Sequence, residues 1–131
     1  MYYNNNTMEV NVVAWKFDVE TPVYLQIERR ICADILSGKY PADTQLPSVR
    51  QFALEAAVNP NTVQKALCEL ETRGLVYSKG TVGRFVTGDK QVLELEHSSV
   101  KSRIIGDFLK SAVSLGITKQ EIIDYLNKGE I

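Results

Sequence analysis

The chain has 131 residues, 44% of them apolar and 24% charged, with a formal net charge of −1. That length suits one or two small folded units and excludes a large catalytic domain, and the composition is that of an ordinary soluble globular protein. No apolar run approaches the ~20 residues that a membrane-spanning helix needs, and a near-neutral balance gives no bulk sign of a nucleic-acid partner.

Residues 1–14 are polar and asparagine-rich, which predicts a mobile tail. The opening MYYNNNTMEV has no basic segment followed by an apolar stretch, so no export signal is expected and a cytoplasmic location is. Trp15-Lys16-Phe17-Asp18-Val19 alternates as a short strand or extended lead-in. A helix is predicted from Thr21, with its hydroxyl as cap, Pro22 in the first helical position and Gly38 at the exit. Tyr24, Ile27, Ile31 and Ile35 give it one apolar stripe. The prolines mark residues 39–47 as a loop. Ser48 and Gln51 then make a capping-box pattern for a short second helix ending near Ala57, with Val49, Phe52, Ala53 and Ala56 inward.

Asn59-Pro60 repeats the start signal for a third helix, which turns Val63, Ala66, Leu67 and Leu70 inward and stops at Gly74. The period then changes to 2. Leu75–Ser78 and Arg84–Thr87 read as paired strands around the turn 79–83. Helix returns with Val100, Ile104, Ile105, Phe108, Leu109 and Ala112 on one broad apolar face. Gly116 breaks it, and Thr118 with Glu121 caps a last helix carrying Ile122, Ile123 and Leu126, which Gly129 stops.

The fold class expected is therefore mainly α with a small β wing: a winged helix-turn-helix over 15–88, then a short two-helix region over 89–131. With its apolar side inward, the third helix leaves Asn61, Thr62, Gln64 and Lys65 near its exposed N-terminal half. That is the part of a recognition helix that enters the major groove. Asn and Gln can pair with adenine edges, and Thr can hydrogen-bond a base or touch a thymine methyl. The exposed N–H groups at the helix starts, opened by Ser48 and Asn59, suit phosphate oxygens. Between Pro47 and Thr87 the cations Arg50, Lys65, Arg73, Lys79 and Arg84 slightly outnumber Glu55, Glu69 and Glu71.

Four motifs in order strengthen this reading. Leu46-Pro47-Ser48-Val49-Arg50 resembles the segment that opens the second helix of GntR-family regulators, and Val58–Val63 resembles their recognition-helix start. Leu70–Val76 resembles their helix exit, and Val82-Gly83-Arg84-Phe85-Val86 their wing. The resemblance implies that Arg50 contacts the phosphate backbone, that Asn61, Thr62 and Lys65 work in the major groove, and that Thr81, Gly83 and Arg84 carry a wing reaching backbone or minor groove. Pro60 stands where the family often has Arg, and Thr81 where it commonly has the first wing glycine. The 44 residues after Thr87 are too few for an effector or aminotransferase-like domain, and they resemble the dimerising tail of the YtrA-like subfamily. Burying Ile104, Ile105, Phe108, Leu109, Ile122, Ile123 and Leu126 against a second copy is the natural outlet for so broad a face.

The expected partners are double-stranded DNA and a second copy of the chain, with no membrane and no evident small-molecule effector. Cys32 and Cys68 read as small apolar residues, and with the lone His97 they are too few for a zinc site, so neither metal nor cofactor is expected. No nucleophile–base pair or phosphate loop is visible, so no enzyme is expected. The competing reading is a winged-helix module that docks on a protein partner without DNA.

Overall fold

A computed structural model describes residues 15–129. The expected tail, residues 1–14, lies outside them. The elements in order are α1 (Val23–Leu36), α2 (Val49–Ala56), α3 (Pro60–Thr72), β1 (Val76–Lys79), β2 (Gly83–Val86), α4 (Lys90–Ser114) and α5 (Lys119–Lys128). The backbone forms two compact units, one running through Leu93 and one beginning at Glu94, within α4.

In the first unit, α1, α2 and α3 close on a core of Ile27, Ile31, Ile35, Phe52, Val63, Leu67 and Leu70, which Leu75, Val76 and Val86 complete from the hairpin. Trp15 is buried against Phe52 at 6.2 Å in an edge-on arrangement and joins the core, whereas residues 16–19 of the lead-in are exposed or half-buried and form no strand. The start of α1 differs from expectation. Pro22, not Thr21, occupies the cap position and offers no side-chain bond. Asp18 instead takes the Glu20 and Thr21 backbone amides on its Oδ1 at 3.0 Å, and the Gln26 side-chain Nε2 donates to Thr21 O at 2.7 Å. A local acidic turn thus satisfies groups that a threonine cap would leave open.

Glu28 is buried and ion-paired with Arg73 at the end of α3, and Arg73 Nη2 lies 3.9 Å from Cys32 Sγ. This fastens α1 to α3 and compensates a carboxylate that would be costly alone.

The capping box of α2 forms as predicted: the Gln51 amide donates to Ser48 Oγ at 3.1 Å, and the Ser48 amide to Gln51 Oε1 at 2.8 Å. Ala57 follows in the left-handed region, φ 59°, and the Val58 amide reaches back to Ala53 O at 3.1 Å. That turn ends α2 so sharply that α3 begins after only Ala57, Val58 and Asn59. A non-glycine residue in this region costs about 1 kcal/mol. Asn59 Oδ1 accepts from the Asn61 amide at 2.7 Å, with Pro60 opening α3.

The strands pair antiparallel, Val76 with Val86 through Lys79 with Gly83, one residue off the expected bounds. The loop after α1 adds to them. Gln45 bridges Phe85, the Leu46 amide donates to Arg84 O, and the Val86 amide donates to Thr44 O, both at 2.9 Å.

In the second unit, Gly116 (φ 75°) breaks the helix, and Thr118 and Glu121 form the expected box ahead of α5. Only Ala112 is buried there among the described residues. Ile104, Ile105, Phe108, Leu109, Ile123 and Leu126 are exposed and Ile122 is half-buried. Between α4 and α5 lies an apolar groove of ≈ 420 Å³ that Phe108, Ile117, Ile122, Tyr125 and Leu126 line. No helix among the described residues is long and apolar enough to cross a membrane.

Candidate nucleic-acid interface

The outer side of α3 follows from its inner side. Burying Val63, Ala66, Leu67 and Leu70 leaves Asn61, Gln64, Lys65 and Cys68 exposed and Thr62 half-buried. Asn61 and Gln64 are spaced for one helical face, which begins at the end whose N–H groups point outward. The Asn59 side chain is committed to its cap and Ser48 to its box, so what each offers a ligand is the N-terminus it organises. Arg50, in the first turn of α2, is exposed and in no ion pair among the described residues.

Lys65 is anchored to the scaffold. Its Nζ lies 4.1 Å above the Tyr24 ring of α1, a cation–π contact that places the charge while leaving the head accessible.

The wing turn is pinned from below. Gly83 has φ 139°, and a Cβ there would meet Gln45 Nε2 at 2.6 Å; that nitrogen donates to Val82 O at 2.8 Å. Only glycine fits both demands. Thr81 and Val82 are left exposed at the tip.

Arg84 does not project with them. Its Nε donates to Glu71 Oε1 at 3.3 Å and its Nη1 to Gln64 Oε1 at 3.3 Å, while Nη2 lies 3.8 Å from Cys68 Sγ. Glu71 Oε2 also accepts from Ser78 Oγ at 2.8 Å. The Ser78 hydroxyl above all holds the Glu71 carboxyl below the usual carboxylate range; burial opposes it, and the Arg84 guanidinium adds to the lowering.

The structure thus brings Ser48, Arg50, Asn59, Asn61, Thr62, Gln64, Lys65, Thr81, Gly83 and Arg84 into the same unit, on α2, α3 and the wing. Gln45 and Glu71 escaped the sequence reading. Glu71 lies seven residues beyond Gln64, and Ser78 pairs with Arg84 across the hairpin, so helix and strand periods together could have found it. No local signal marks Gln45. Among the described residues no group of side chains could hold a metal ion.

Residues 23–86 match the bacterial regulatory proteins, gntR family. A GntR family transcriptional regulator from Listeria monocytogenes is similar over 87% of this chain and 100% of its own, with 35% identity and a TM-score of 0.77. The HTH-type transcriptional repressor YtrA of Bacillus subtilis is 34% identical over 76 residues, 58% of each chain. The AraR DNA-binding domain, solved in complex with operator ORX1, is similar at 29% identity and a TM-score of 0.52, over 60% of this chain and 96% of that one. With the helix-turn-helix, the wing and these likenesses together, the chain belongs to the gntR family of bacterial transcriptional regulators.

Proposed function

We propose that the chain is a repressor that binds an inverted-repeat operator as a homodimer, in the manner of the YtrA-like subfamily, and that it carries no catalytic activity. The observation that carries this reading is the polar face of α3: Asn61, Gln64 and Lys65 are exposed at the end of the helix that a major groove admits. Arg50 supplies a phosphate contact beside it, and the N-termini organised by Ser48 and Asn59 supply N–H donors. Thr62 completes the base-reading set, and Thr81 and Gly83 bring the wing tip to the backbone. Residues 15–88 form the DNA-binding domain and 89–131 the dimerising one, through Ile104, Ile105, Phe108, Leu109, Ile122, Ile123 and Leu126. The apolar face those residues expose, and the likeness to YtrA, support that division.

Two recognition helices related by a two-fold axis require half-sites about one helical turn apart. Footprinting and gel shifts on DNA upstream of the protein's own gene test this. Affinity should fall steeply between ~50 and ~200 mM salt, and Arg50→Ala should lower the slope of log K on log salt by about 0.9 per subunit. Salt-independent binding, no protection, or capture of a protein partner in place of DNA would sink the reading.

A further inference from the structure

Arg84 stands in the wing, yet its guanidinium turns back onto the recognition helix. Gln64, Cys68 and Glu71 fall at i, i+4 and i+7 on α3 and form one stripe facing the hairpin. Ser78 and Arg84 are cross-strand partners, so their side chains share the hairpin face above that stripe. Glu71 takes a hydrogen bond from each, which ties both strands to α3. The guanidinium spends three donors on Glu71, Gln64 and Cys68, and the Arg84 side chain is only 17% exposed. Its charge is compensated inside the fold, so it is a poor candidate for a phosphate.

Gln64 is held at both ends of its amide, with Oε1 under Arg84 and Nε2 3.7 Å from Cys68 Sγ. One lone pair of Oε1 and one Nε2 proton remain, which is what a base edge needs from glutamine.

We propose that Arg84 is a positioning residue: with Glu71 it locks the wing onto the recognition helix and orients the Gln64 amide, so that the base preference set by Gln64 depends on Arg84. This rests on the DNA-reading function proposed above.

The test selects duplexes from a randomised library with the full-length protein and with Gln64→Ala, Arg84→Ala and Glu71→Ala, then measures affinity across salt. Gln64→Ala and Arg84→Ala should each lose about tenfold discrimination at the same base pair of each half-site. Glu71→Ala should lose less there, and Arg84→Ala in the Gln64→Ala background should lose nothing further. The salt slope should stay unchanged. Uniform weakening on all sequences, with the slope lowered by about 0.9 per subunit, would overturn the proposal and return Arg84 to a backbone contact. An unaltered base preference in Arg84→Ala or Gln64→Ala would overturn it equally. Should circular dichroism show Arg84→Ala unfolded, Arg84→Met, which keeps an aliphatic stem but removes the donors to Glu71 and Gln64, serves under the same criteria. A native protein that selects no sequence refutes the DNA-reading function itself, whereas a native protein that selects an operator while Arg84→Ala shifts only the slope refutes this inference alone.

Discussion

The two units of this chain treat their apolar residues in opposite ways. The first, through Leu93, encloses a set of large apolar side chains almost completely, Phe52, Ile27 and Leu70 among them. The second, from Glu94, has helices just as well punctuated, yet leaves Phe108 52% and Leu126 53% exposed. Capping and periodicity make a helix in either unit, but only enclosure makes a core. The first unit encloses a core of its own, and the second has an apolar surface that its own described residues do not cover.

Three measurements can break or sharpen this contrast. The largest effect is expected in the first unit. Phe52→Ala removes a fully enclosed ring packed on Trp15 and Tyr40 and should cost about 4 kcal/mol of unfolding free energy in urea. A loss below about 1 kcal/mol would mean the enclosure is not what holds that unit.

Phe108→Asp comes next. It should leave the first unit's unfolding within about 0.5 kcal/mol of native, as surface changes do. In light scattering across dilution it should convert the proposed dimer to monomer, because a charge would then sit in the proposed apolar contact. A dimer that survives dilution would assign self-association to some other surface.

The smallest effect concerns acid. Glu71 has its folded pKa lowered, so its contribution is fully present above the unfolded value near 4.3 and is lost as pH falls through the lower folded value. Glu71 is more than a third exposed, so solvent screening keeps the effect small. Acid titration followed by NMR should show the Ser78 and Arg84 resonances moving together in that window, and Glu71→Gln should abolish the coupled shift.

Most of the first unit is legible in local chemistry. Ser48 with Gln51, Asn59 with Pro60, and Gly74 punctuate α2 and α3, and the change of period from 3.6 to 2 after Leu75 announces the hairpin. The start of α1 departs from expectation because Thr21 followed by Pro22 imitates a cap, whereas Asp18, three residues earlier, accepts the Glu20 and Thr21 amides and shapes the turn before the helix. Asp89, whose Oδ1 takes the Gln91 amide at 3.0 Å and opens α4, is a cap of the same kind that went unread. The candidate site divides similarly. Exposure of Asn61 and Lys65 follows from the helical period alone. The company Arg84 keeps does not, since it depends on how two elements with different periods meet. Gln45 lay beyond reach for a plainer reason: its partner Val82 is 37 positions away, and nothing local encodes that pairing.

That long-range fastening bears on how the protein comes to be folded. The hairpin partners are close in sequence, but pairing residues 44–46 with β2 closes a loop that contains all of α2 and α3. Non-local strand contacts of this sort pay loop-closure entropy before they return any stabilisation, and they slow the approach to the native state. The wing is thus the region where chain topology, not the strength of local signals, governs the pace of assembly.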